Sequence, residues 1–198
     1  MKLYLAPGAC SLADHIALHE AGLDFEPVKV DLKTKTTETG EDFRAVNPKG
    51  YVPALAFDDG QVLTENIAIL SWIADRVPRL APQGVLGRYR LLETMAFIST
   101  ELHKGFKPFF TPDADEGQKA KARESIAQRL GLLSDKVGEG YLFGGQAGVA
   151  DAYLYVMLRW SKQNGVPIPA TLTAFGDRME TRAAVKLALQ HEGLLQPA

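Results

Sequence analysis

Residues 2–22 read Lys2-Leu3-Tyr4-Leu5-Ala6-Pro7-Gly8-Ala9-Cys10-Ser11-Leu12-Ala13-Asp14-His15-Ile16-Ala17-Leu18-His19-Glu20-Ala21-Gly22. This stretch decides the fold. Lys2 to Ala6 carries a strand pattern, Pro7-Gly8 breaks it, and Ser11 to Ala21 continues with Leu12, Ile16 and Leu18 at helical spacing. Gly22 stands where a helix commonly ends in the left-handed conformation. The unit is strand, turn, helix, with Cys10 in the turn. Ser11 and Asp14 are three apart and resemble a capping box that fixes the helix start. A thiol there faces unpaired backbone N–H groups and the positive end of the helix dipole, which favour the thiolate, whereas a buried mid-helix cysteine is inert. Cys10 is the only cysteine, so no intrachain disulfide can form and a reducing, cytoplasmic setting is expected.

Outward from this unit, Phe25 to Leu32 alternates as a strand, and Pro27 points to a sheet edge because it cannot donate to a ladder. Asp42 to Val46 reads as a short helix before the turn Asn47-Pro48-Lys49-Gly50. Ala54 to Phe57, Asp58-Asp59-Gly60 and Gln61 to Thr64 spell a β-hairpin, since Asp-Gly supplies the positive φ that the turn needs. A helix from Asn66 to Val77 follows, closed by Pro78. Residues 79–86 have linker character, and beyond them the periods are helical, with breaks at Pro108, Pro112, Gly138, Gly140, Pro167 and Pro169. The expected architecture is an α/β lobe, βαβαββα, over residues 1–80 and an all-α bundle over 87–198. No internal repeat is visible.

The composition narrows function. The 198 residues are 46% hydrophobic and 23% charged, a globular balance that buries roughly 70% of the unfolded surface. No apolar run approaches the ~20 residues of a membrane span, and Met1 leads directly into a strand with no signal-peptide pattern, so neither membrane nor secretion is expected. Net charge is −2. Residues 1–80 hold 8 basic against 12 acidic side chains and residues 81–198 hold 14 against 12, which leaves no polycationic face for nucleic acid. A small molecule or a protein is the expected partner.

The element order resembles the thioredoxin fold, in which a cis-proline before the third strand faces the redox cysteine. Val52-Pro53 occupies that place. Pro53 has no N–H, so the peptide groups of Val52 can pair with an extended ligand backbone. The second cysteine of a Cys-Xaa-Xaa-Cys pair is replaced by Ala13, which leaves only exchange with an external thiol.

Five segments extend the resemblance over essentially the whole chain: Tyr4 to Leu18 (YLAPGACSLADHIAL), Asn47 to Leu55 (NPKGYVPAL), Leu63 to Ile69 (LTENIAI), Phe97 to Phe106 (FISTELHKGF) and Val149 to Tyr153 (VADAY). In this order the chain resembles a glutathione S-transferase of the bacterial beta class. The resemblance implies glutathione as co-substrate, a small hydrophobic electrophile, a homodimer and no metal. It implies Cys10 and His103 at the reacting sulfur, Val52 and Pro53 along the tripeptide backbone, and Glu65 and Asn66 at its γ-glutamyl end. Lys35 is implied at the glycyl carboxylate, with Lys33 a competitor for that role in the same polar segment. Thr100 and Lys104 are implied near the site, in some relatives from the partner subunit. The alternative activity is glutaredoxin-like exchange through a Cys10 mixed disulfide, and a binding module without catalysis is a third reading.

Several residues have two readings. Leu91, Met95, Ile98, Leu102 and Phe106 form an apolar core stripe on a helix over 88–106, and His103 falls on the neighbouring face with Leu92, Ala96 and Ser99. Phe106, Phe109 and Phe110 suit either an apolar wall for the electrophile or plain core. Tyr153, Tyr155 and Trp160 suit core on a helix that can reach the cleft. The sequence departs from the class in having Asn66 for Ser, Ala96 for Asn and Gly148 for the Ser that would cap the helix of Asp151.

Overall fold

Alternation with period 2 sorts the first strand's side chains to two faces of a sheet. In the computed structural model, which describes residues 1–195, strand β1 (Lys2–Leu5) buries Leu3 and Leu5 on one face and Tyr4 on the other. It pairs in parallel with β2 (Glu26–Asp31) and antiparallel with β4 (Ala54–Ala56). β3 (Thr36–Thr37) adds to β2, β5 (Val62–Thr64) adds to β4, and the strand order is β3-β2-β1-β4-β5. The β1–β2 crossover is helix α1 (Leu12–Ala21), as a parallel pair requires. Helix α2 (Asn66–Arg76) follows the β4–β5 hairpin, whose Asp58-Asp59-Gly60 loop has Gly60 at φ 85°.

Three details differ from the sequence reading. Pro27 is not on an outer strand: it pairs with Leu3 of β1, while β3 covers only Val30 and Asp31. Its missing N–H therefore falls where β2 has a single neighbour. Two residues of the expected polar loop, Thr36 and Thr37, form β3. The short helix expected at 42–46 is one 3-10 turn, Phe43–Ala45, whose start is capped by Asp42 accepting from the Arg44 N–H at 2.9 Å. Phe43 seals the second sheet face against Tyr4, ring centres 5.4 Å apart.

The remainder is helical: α3 (Gly87–Phe97), α4 (Lys107–Phe110), α5 (Glu116–Val137), α6 (Val149–Gln163), α7 (Ala170–Thr181) and α8 (Ala183–Glu192). The helix expected over 88–106 is continuous in direction but changes winding. After α3 come a π-helical segment, Ile98–His103, and a 3-10 turn, Lys104–Phe106. The stripe Leu91, Met95, Ile98, Leu102 and Phe106 is buried throughout. Pro108 does not break the chain, because it lies in the first turn of α4 where its N–H is not needed; the break comes at Thr111.

Helix α1 is enclosed by α2, α6 and α8, and one apolar core joins Leu3, Leu12 and Ile16 to Leu154, Leu172 and Phe175. Asp151, wholly buried at the start of α6, accepts from the Gly148 and Leu142 N–H groups, both at 2.8 Å. A Cβ at residue 148 would lie 2.5 Å from the Leu80 carbonyl oxygen, so a serine cap has no room there. No helix among the described residues is long and apolar enough to cross a membrane.

Candidate active site

The β1–α1 turn, the Tyr51-Val52-Pro53 segment, the start of α2 and the π-helical segment converge on a cavity of about 860 Å³. A separate hollow of about 610 Å³ beside Pro78 and Phe143 is lined by no cysteine, histidine or carboxylate.

Cys10 lies two residues before α1, and its thiol donates to the Val52 carbonyl oxygen at 3.6 Å. The Val52–Pro53 peptide bond is cis. The residue is half-buried, yet its sulfur is densely surrounded, and burial pushes the thiol up to about 12, with Asp14 adding to the effect. The backbone amides of Cys10 and Ser11 pull the other way and lose. A thiolate favoured by the helix terminus is thus not the resting state. The capping box is also absent. Ser11 is helical in φ and ψ, and its hydroxyl donates to the Ala6 carbonyl at 3.4 Å and accepts from the Ala6 N–H at 3.2 Å. Asp14 is fully buried, and burial raises its carboxyl well above the ordinary range.

Asn66 does not cap α2 with its side chain. Its amide donates to the Cys10 carbonyl at 2.9 Å and to Asp14 Oδ2 at 2.8 Å, tying the cysteine turn to α2. Glu65 holds the cap position at φ 77°. Its carboxylate pairs with Lys49 and accepts from the Tyr51 hydroxyl at 3.2 Å, and Lys49 above all holds it below its usual range. Among the described residues the non-glycine positions with positive φ are Lys35 and Glu65. Such outliers cost of order 1–3 kcal/mol and cluster at functional sites.

His103, at the end of the π-helical segment, shares a 2.7 Å hydrogen bond between Nδ1 and the Tyr153 hydroxyl and sits edge-on to Trp160 at 5.1 Å. Burial, then Lys104, lowers its pKa, so the imidazole is neutral; burial raises the Tyr153 phenol, which keeps its proton. In the tautomer in which Tyr153 donates to Nδ1, the ring proton is on Nε2. Trp160 donates from Nε1 to the Gly8 carbonyl at 2.8 Å, bridging α6 to the cysteine turn.

Of the residues singled out in the sequence, Cys10, Val52, Pro53, Glu65, Asn66, His103, Lys104, Phe110, Tyr153 and Trp160 line the cavity. Thr100 does not: it is exposed and its hydroxyl donates to the Ala96 carbonyl one turn back, while Ser99 takes the cavity position. Phe106 is wholly buried behind Trp160 and reads as core. Phe109 is half-buried under the Arg123 guanidinium, 5.4 Å away, and is not on the wall. Lys35 is also outside the lining, although its stem lies over Gly50 at about 3.6 Å from where a Cβ would stand. Lys33 is exposed.

A family model for the glutathione S-transferase N-terminal domain matches residues 9–76. The chain is 45% identical to the glutathione S-transferase GstA of Escherichia coli O157:H7, over 98% of this chain and 100% of that one. The chain belongs to the bacterial beta class of the glutathione S-transferase family. A solved sphingomonad glutathione S-transferase complexed with glutathione superposes with TM-score 0.91 at 50% identity, covering 98% and 100% of the two chains. The beta-class enzyme of Sphingomonas chungbukensis superposes with TM-score 0.89 at 47% identity, over 98% and 100%.

In this transferase the sequence reading missed Tyr153 as the residue that orients His103, and Gly8 as the backbone group held by Trp160. Tyr153 was visible as a core position on a helix that can reach the cleft; its hydroxyl shows its use once α6 is docked against the π-helical segment. Tyr51 and Lys49, which occupy Glu65, carried no signal beyond their place in the turn before Pro53.

Proposed function

We propose that the enzyme conjugates reduced glutathione to small hydrophobic electrophiles, with the tripeptide backbone paired to Val52 and its sulfur between Cys10 and His103. The observation that carries this reading is the state of Val52. Its N–H has no partner among the described residues, and its carbonyl accepts only the Cys10 thiol, on the wall of a cavity that His103 also lines. An extended ligand can satisfy both groups. Glu65 then exchanges part of its Lys49 pairing for the ligand ammonium, Lys35 reaches the far carboxylate over Gly50, and the backbone N–H groups at the start of α2 receive the γ-glutamyl carboxylate.

Thiol activation follows from the electrostatics. A neutral Cys10 S–H and the His103 Nε2–H are donors, and donors favour the ionised form of a second thiol placed between them. The cavity end near Phe110 and Trp160 is apolar and holds the electrophile beside that sulfur, so proximity supplies much of the rate. Exchange through Cys10 is the weaker reading, because it requires Cys10 itself as the thiolate and burial opposes that. The proposal includes a cytoplasmic homodimer.

Conjugation of a standard aryl halide by Cys10→Ala tests the reading. Loss of one weak donor to a charged sulfur predicts a fall in kcat/KM of a little over tenfold, the low end (about 1.5 kcal/mol) of hydrogen bonds to charged groups, with Cys10→Ser recovering most of it. Complete loss in both variants would make Cys10 a nucleophile and overturn the proposed role.

A further inference from the structure

Away from the cavity, α1 and α8 bring together three of the four histidines. His15 and His19 are four apart on α1 and share a face; His191 comes from the last turn of α8, which packs on α1. Their ring centres form a near-equilateral triangle, 5.0 Å (His15–His19), 5.6 Å (His15–His191) and 5.4 Å (His19–His191). One ring nitrogen from each lies within 4.8 Å of the other two.

Two of these nitrogens are anomalous for core imidazoles. His15 is fully buried, its Nδ1–H donates to Glu192 Oε1 at 2.8 Å, and its Nε2 has no partner among the described residues. His19 Nε2 is likewise buried and unpartnered. Buried nitrogens without partners are costly, and each such group requires an explanation. Phe25 closes one side, edge-on to His15 at 5.5 Å and tilted over His19 at 4.9 Å. Glu20, beside His19 in sequence, is committed to Arg182 at 2.9 Å and supplies no competing ion pair.

We propose that His15, His19 and His191 form a binding site for one divalent transition-metal ion of the zinc, cobalt or nickel type, with Glu192 as the carboxylate that orients His15. Imidazole suits these ions, and a ligating histidine characteristically donates its other N–H to a carboxylate, which fixes the tautomer. The Glu192–His15 pair already has that arrangement. Three ligands at metal–nitrogen distances of roughly 2.0–2.1 Å sit about 3.4 Å apart in tetrahedral geometry. Rotation about the broad terminal torsions of the rings closes the remaining gap. His191 is exposed and provides the entry; His15 is the inner wall.

The site is tied to the reaction centre. The second Glu192 oxygen accepts from the Gly8 N–H at 2.8 Å, and the Gly8 carbonyl accepts from Trp160. A bound ion therefore braces the turn that carries Cys10.

The test is titration of untagged, chelator-stripped protein with cobalt(II), followed by visible absorption and checked by zinc displacement. The expected result is saturation at one ion per chain with no thiolate charge-transfer band, which separates this site from Cys10. His191→Ala and His19→Gln each weaken binding at least tenfold, Glu192→Gln weakens it about 10- to 100-fold, and His103→Gln leaves it unchanged. His191 is exposed, so its variant folds and decides the matter if a buried variant does not. Absence of saturation at millimolar cobalt, unchanged affinity in His191→Ala, or a thiolate band would overturn the proposal.

Discussion

Cys10 gives the most exacting quantitative prediction, because placement at a helix start and enclosure by the fold push its ionisation in opposite directions. Enclosure wins, and the thiol is raised to about 12. An ordinary cysteine at about 8.5 is roughly 10% thiolate at about pH 7.5, whereas a thiol at about 12 is ionised to roughly 3 parts in 100,000, a ratio of about 3,000. The rarer thiolate is intrinsically more nucleophilic, and a Brønsted slope of about 0.4–0.5 over this interval returns roughly 30- to 50-fold. The net expectation is alkylation by iodoacetamide about 100-fold slower than that of a cysteine in a short unstructured peptide, rising about tenfold per pH unit with no plateau below about pH 10. Mass spectrometry of the ligand-free protein over time measures the rate. Asp14→Asn is the internal control: Asp14 is the second cause and burial the first, so the thiol stays slow. Alkylation as fast as the free thiol, or a plateau near pH 7, would mean that enclosure does not hold Cys10 protonated and would restore it as an exchange nucleophile.

Gly148→Ala places a Cβ 2.5 Å from the Leu80 carbonyl oxygen, a backbone atom, and is expected to cost about 1–3 kcal/mol in denaturant unfolding. Asp151 is raised from 3.8 to about 6 in the folded protein by burial. The folded state therefore binds more protons between these values, and wild-type stability relative to Asp151→Asn falls as pH rises from about 4 to about 6, by up to about 3 kcal/mol, with no further loss above. Urea melts across that window check both sign and size. Trp160→Phe removes the donor to the Gly8 carbonyl and is expected to lower stability by about 1–3 kcal/mol. The same variant should loosen the Cys10 turn, read as faster alkylation of Cys10.

The strand–turn–helix unit was legible because its signals agree: alternation in Lys2–Leu5, the Pro7-Gly8 break, helical spacing after it and Gly22 at φ 68° as the stop. The stripe from Leu91 to Phe106 was equally plain. The winding change at Ile98–His103 was not, because apolar spacing of three and four residues reports which face is buried and not how the backbone winds. The site was legible as a set of residues and illegible as a set of bonds. Asn66 is a competent cap residue by type, yet the buried Asp14 and the Cys10 carbonyl offer its amide better partners. Phe106 and Phe110 are identical in sequence terms and separate only when α6 places Trp160 between one and the cavity. The histidine cluster left half a trace, His15 and His19 four apart, while its third member lies at the other end of the chain.

In the proposed function the cavity ionises a second thiol while keeping Cys10 protonated. This is tested most directly by titrating the thiolate absorbance of bound glutathione, taken as the difference between loaded and free protein. Cys10, raised to about 12, adds nothing below about pH 10. The expected result is saturable binding, with ionisation of the bound thiol at least one pH unit below the ordinary value of about 8.5. Ionisation at the free value, or no saturation at millimolar glutathione, would contradict it.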